Sequence, residues 1–231
     1  MSAADGTPAD GAAANPRMVR HGRMDLALWK VRAGEGRPLL LLHGLGESTR
    51  STVPTFAEAW PGPVHGLDFS GHGASSLSRG GGYTAEIMLA DADAALAVLG
   101  EATVLGRGLG AYVALLLAGA RPAAVKGVVL ADGPGLIGGG VQPGSPSVPF
   151  APAPTSTPDP YALLELAADV RPPDYTSIFI RFVFEGSDLP DPIIVSAVGR
   201  AEWLDAVVEE PGVLQMPIVE ALAHLADLAP R

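Results

Sequence analysis

The sequence predicts an α/β fold in which a mostly parallel central sheet is flanked by helices. Three observations carry that expectation. Short apolar runs alternate with helical patterns along residues 17 to 132, the order that builds parallel strands joined by crossover helices. Pro38–Leu42 is continuously apolar, as a strand buried on both faces requires. Gly106-Arg107-Gly108-Leu109-Gly110 sets small residues at a tight turn between a short apolar run and a helical one.

Each element follows in order. Leu26–Val31 reads as an edge strand, Pro38–Leu42 as a buried one and Val64–Phe69 as the next. Thr84 is placed to cap a helix running to about Leu99, with Ile87, Ala90, Ala94, Ala95 and Val98 spaced as a packing stripe. Thr103–Leu105 is a short central strand, Leu109–Ala120 a small-residue helix and Val125–Ala131 another buried strand. Eight prolines and six glycines between Gly133 and Pro160 make regular structure improbable and predict a long surface excursion. We expect a lid or cap over about residues 133–190. Tyr161–Asp169 reads as a helix, and Tyr175–Glu185 suits helix or strand, with helix preferred. Ile193–Val198 follows a proline and is β-branched, so it is expected to be the last strand, leaving the C-terminal part of the sheet truncated. Ala201–Glu209 and Ile218–Leu228 are the closing helices.

With 231 residues, 48% of them apolar, the chain can bury one substantial core. Residues 17–231 are expected to form a single domain behind a disordered tail, residues 1–16, whose Ala, Gly, Asp and Pro content contains no signal-peptide core. A net charge of −10 opposes binding to nucleic acid or anionic membrane, which demands a surplus of Lys and Arg. The most apolar stretch, Ala111–Ala131, is broken by Arg121, Pro122 and Lys126 and is unsuited to spanning a bilayer. Zero cysteines exclude disulfides and thiolate metal sites and agree with a cytoplasmic location. No cofactor or metal is expected.

Three separated segments now point one way. Leu39-Leu40-Leu41-Leu42-His43-Gly44-Leu45-Gly46 resembles the strand and His-Gly turn of the α/β-hydrolase superfamily. Asp68-Phe69-Ser70-Gly71-His72-Gly73-Ala74-Ser75 is similar to its Asp-x-x-Gly-His-Gly-x-Ser segment, and Gly106-Arg107-Gly108-Leu109-Gly110 has the glycines of its Gly-x-Ser-x-Gly elbow. The resemblance covers roughly residues 24 to 135, about half the chain. It implies a Ser nucleophile, an acid and a His in that chain order, yet Gly108 stands where the Ser would be.

The remaining triad positions have only candidates. Asp188 would serve as the acid if Ser177–Phe184 were the strand after the lid; Asp132, at the end of a central strand, is the alternative, or else caps the turn at Gly133-Pro134. His224 is the sole C-terminal histidine, but Leu222-Ala223-His224-Leu225-Ala226 reads as helix. His43 either acts as a base or structures its loop, while His72 and Asp68 brace the turn at Gly71 and Gly73.

The resemblance further implies an oxyanion hole made by the backbone N–H groups of Leu45 and Leu109. Those donors do not depend on the missing hydroxyl. They would receive a carbonyl or carboxylate at the helix start, or else bond to the loop. Arg107 would contact an acidic ligand or lay its stem along the sheet. A rival pattern, Gly106, Gly108 and Ala111 followed by Asp132, matches a dinucleotide fingerprint and would make the chain an NAD-binding protein. The expectation is a non-hydrolytic protein binding a small apolar, carbonyl- or carboxylate-bearing molecule. Its alternative is an active hydrolase or lyase with a non-standard catalytic pair. The apolar closing helices also suit a homodimer.

Overall fold

Eight strands form one sheet, in the order β1-β2-β4-β3-β5-β6-β7-β8, in a computed structural model that describes residues 15–49, 53–140 and 156–228. The strands are β1 (Arg17–His21), β2 (Met24–Arg32), β3 (Leu39–Leu42), β4 (Val64–Leu67), β5 (Ala102–Arg107), β6 (Val125–Ala131), β7 (Ile193–Ser196) and β8 (Leu214–Gln215). β1 and β2 pair antiparallel with each other, and β2 pairs antiparallel with β4. From β4 onward every pairing is parallel.

Among the described residues six helices accompany them: α1 (Ala85–Leu99), α2 (Leu109–Ala120), α3 (Pro160–Ala168), α4 (Pro173–Gly186), α5 (Glu202–Glu209) and α6 (Ile218–Asp227). Eleven of the twelve residues of α2 are buried, which explains its small, unpatterned apolar composition: a helix enclosed on all sides has no polar face to show. One core joins α1, α2, α4 and α5 to Leu40, Leu42, Val104 and Val128. The other sets α6 and a 3-10 turn at Thr55–Ala57 against Leu39, Leu105, Val129 and Ile194. The alternation of Leu39 and Leu40 between the two cores is the period-2 geometry of a strand covered on both faces.

Most expected elements are present; three differ. Leu26–Val31 is not an edge, because β1 pairs with it across residues 17 to 21; the polar Arg-Met-Val-Arg-His run hides a strand with one buried residue, Val19. Helix α1 starts after Thr84, whose side chain accepts from the N–H of Ile87. It buries Ala85, Met88, Ala92, Ala95 and Leu96 in place of the expected stripe, of which only Ala95 is buried. Asp91 lies on the buried face because the Ser70 hydroxyl and amide and the His21 ring bond its carboxylate, which allows a charge where an apolar stripe would exclude it. Strand β7 is not the last, since the two-residue β8 pairs beyond it; so short a strand leaves no periodic signal.

Of the expected tail, residues 1–14 lie outside the described residues, as do residues 141–155 of the proline-rich excursion. Among the described residues, no helix is long and apolar enough to cross a membrane.

Candidate active site

The chain passes from β3 to β4 on one side and then returns to lay β5 on the other side of β3. Open α/β sheets receive ligands at such a switch point, beyond the carboxyl ends of the strands. A cavity of about 640 Å³ opens there, lined by Leu41 and Leu42 of β3, Leu105 and Arg107 of β5, His43, and residues 46–49 and 53–56. Its walls include Val53, Phe56, Ser48, Thr49 and Thr55.

Gly108 joins β5 to α2 with φ +57° and ψ −118°, a conformation that costs a side-chain-bearing residue about 1–3 kcal/mol. Space is the harder constraint. A Cβ at Gly108 would overlap the Pro134 carbonyl oxygen and stand 2.7 Å from that of Gly133. The loop after β6 therefore presses directly onto the turn.

Pro134 does more than fill space. Its carbonyl oxygen accepts the N–H of Leu109, at the start of α2, and the N–H of Leu45, in the loop after β3, each at 2.9 Å. The loop is held from behind by Arg171, whose Nη1 donates to the carbonyls of Gly135 and Leu136, while Trp203 Nε1 also donates to Leu136. Arg171 is 1% exposed and lies over the Tyr112 ring at 4.9 Å. No carboxylate among the described residues pairs with it, and burial lowers its pKa.

Both histidines beside the cavity have their ring nitrogens engaged. His43 Nδ1 lies 2.8 Å from the Gly44 carbonyl oxygen, which fixes the proton there, and Nε2 accepts the N–H of Phe69 at 3.1 Å. His72 repeats the arrangement, Nδ1 to the Ser70 carbonyl and Nε2 accepting from Gly46. Burial, then the neighbouring His72, lowers the His43 pKa to about 4, and burial lowers that of His72. Each is a neutral brace between two backbone segments. Asp68 braces the same region, accepting from Trp29 Nε1 and from the N–H groups of Thr49 and Ala74.

The acid candidates are dispersed. Asp132 follows β6 and accepts the N–H groups of Val198 at 2.6 Å and Gly199 at 2.9 Å, tying two strand ends together. Asp188 pairs with Lys126 Nζ at 2.7 Å. Lys126 is near the start of β6, so Asp188 lies at the amino edge of the sheet, opposite the cavity. His224 is within α6 and 3.1 Å from Asp191, which precedes β7; it too lies at the amino edge. Arg107 and Glu47, by contrast, meet at the cavity: Arg107 Nη1 lies 3.1 Å from both carboxylate oxygens. Glu47 also accepts the Gly44 N–H at 3.0 Å.

Helix α3 is latched above these loops. Asp159 caps it by accepting from Tyr161 N, receives the Tyr83 hydroxyl at 2.6 Å, and its own N–H reaches Gly71. Glu165 accepts from the amides of Gly82 and Tyr83. Among the described residues no cluster of His, Asp and Glu could hold a metal.

Nothing in their local sequence marks Arg171 or Glu47 as site residues, and Pro134 is marked only as part of a turn. Gly133-Pro134-Gly135 carried the one available signal, a proline between two glycines just past a central strand, which marks a turn but not where that turn is pressed.

The family model described as the alpha/beta hydrolase family matches residues 39–231. The chain belongs to that family. Among solved structures, this hydrolase-family chain is similar to the N-formylmaleamic acid deformylase Nfo of Pseudomonas putida, at 15% identity and a TM-score of 0.54, covering 87% of this chain and 91% of that one. It is similar to the bottromycin epimerase BotH, solved with bottromycin A2, at 16% identity and a TM-score of 0.52, covering 93% and 96%. An α/β hydrolase from Nostoc is 28% identical over 51% of this chain, with a TM-score of 0.42, and the match spans 42% of that protein. Among curated proteins none matches.

Proposed function

We propose that this family member is non-hydrolytic and binds a small apolar, carbonyl- or carboxylate-bearing molecule in the cavity between β3 and β5. One observation carries the reading. The Pro134 carbonyl oxygen takes both Leu45 and Leu109 N–H groups, the pair the family resemblance assigns to the oxyanion hole. A substrate carbonyl polarised there would have to displace it.

The rest of the site agrees. Gly108 occupies the nucleophile position and has no room for a hydroxymethyl group. His43, the histidine that lines the cavity, has no nitrogen lone pair to accept a proton, because the Phe69 N–H holds it. Asp132 is committed to two amides. The dinucleotide reading meets the same obstacle, since the amide at the start of α2 that would face a pyrophosphate is bonded to Pro134. An epimerase among the full-length structural relatives agrees with the general rule that this architecture is not tied to hydrolysis.

The test is hydrolysis of p-nitrophenyl butyrate by the native chain beside its His43→Ala and Gly108→Ser variants. All three are expected to be inactive. Turnover by the native chain that disappears in His43→Ala would overturn the reading in favour of a non-standard catalytic pair.

A further inference from the structure

The cavity at the ends of β3 and β5 has both apolar and charged lining. Leu41, Leu105, Val53 and Phe56 are among its apolar residues, and Arg107 and Glu47 are its oppositely charged pair. Glu47 is doubly committed, to the Gly44 N–H and to Arg107 Nη1. Arg107 is not. A guanidinium carries five N–H donors, and among the described residues only Nη1 is engaged, by Glu47. Its side chain is 39% exposed, so the free donors are open to a ligand.

We infer that the cavity is a carboxylate site, taking a small monocarboxylate whose apolar tail lies on Leu41, Leu105, Val53 and Phe56 and whose carboxylate is received by Arg107. This rests on the reading of the cavity as a binding site and names the ligand class. The planar fork of Arg matches a carboxylate with two parallel hydrogen bonds, which a neutral head group cannot reproduce. A volume of about 640 Å³ is of the size that receives a small molecule of this class. Glu47 is an internal competitor for the same cation. A ligand carboxylate binds against it, so neutralising Glu47 strengthens the site.

The experiment is calorimetric titration of octanoate and of octanol into the native chain, Arg107→Gln and Glu47→Gln, with p-nitrophenyl butyrate turnover measured on the same preparations and circular dichroism confirming the fold. Octanoate is expected to bind the native chain, to weaken by about tenfold or more in Arg107→Gln and to tighten several-fold in Glu47→Gln, while octanol is indifferent to both. Octanoate affinity equal in the native chain and Arg107→Gln, or no octanoate binding at all, overturns the inference. Ester turnover inhibited by octanoate would leave the carboxylate site standing and overturn the non-hydrolytic reading, so the two fail separately.

Discussion

The Pro134 carbonyl oxygen lies where a side chain on Gly108 would have to go. The lack of a side chain at Gly108 and the closeness of the 133–134 backbone to that turn are thus one structural fact. The space beside Gly108 is taken by a backbone carbonyl, and that carbonyl satisfies the amides of Leu45 and Leu109.

Restoring a side chain at Gly108 is therefore destabilising. Gly108→Ala combines a positive φ with overlap against the Gly133-Pro134 backbone, and it should cost more than about 3 kcal/mol. Urea denaturation monitored by tryptophan fluorescence measures this. A loss below about 1 kcal/mol would mean that the 133–135 loop yields freely.

Arg171 holds that loop. In Arg171→Met the carbonyls of Gly135 and Leu136 lose its donors, and the amides of Leu45 and Leu109 should exchange with deuterium about tenfold faster or more than in the native chain. Unchanged exchange at those two amides would show that Pro134 is held by its own turn alone.

The latch over the site depends on Tyr83. Its hydroxyl donates to the buried Asp159, so Tyr83→Phe removes one donor from a carboxylate that water does not reach. We expect a loss of about 1.5–3 kcal/mol, with accelerated proteolysis near Thr157–Asp169. Asp159→Asn, which keeps an oxygen for the Tyr161 amide, should cost less.

Stability should fall with acid through the histidine range. Burial holds His43 down to about 4 and lowers His72, against about 6.5 in the unfolded chain. Below that value the unfolded chain binds more protons, so stability is full above about pH 6.5 and is lost as pH falls toward 4. Asp91 and Asp169, raised by burial, act in the opposite sense, since protonation relieves their buried charge. Urea midpoints should drop between about pH 7 and about pH 5, and the His43 ring should remain neutral by NMR at the upper end of that interval. A flat midpoint across it would contradict the assigned braces.

The legible parts of this molecule are those with local causes. Thr84 before a helix, the unbroken leucines of β3 and the small residues of α2 each declare their structure within a few neighbours. The strands β1 and β8 were not legible, because one has a single buried residue and the other spans two positions. The buried face of α1 departs from its local pattern for a related reason: Asp91 is buried by partners at positions 21 and 70, far outside any local window.

By itself, the sequence determined the α/β fold, the glycine turn after β5 and the want of a serine in it, since apolar periodicity and glycine geometry are properties of adjacent residues. Tertiary structure alone decided what the turn became. Whether the Leu45 and Leu109 amides face a ligand or a carbonyl depends on how the loop after β6 docks, and that docking is set by Arg171 and Trp203, which reach it from elements far along the chain. Hydrogen bonds between segments so distant in sequence leave no periodic trace, because their geometry exists only once the sheet and its covering helices have packed.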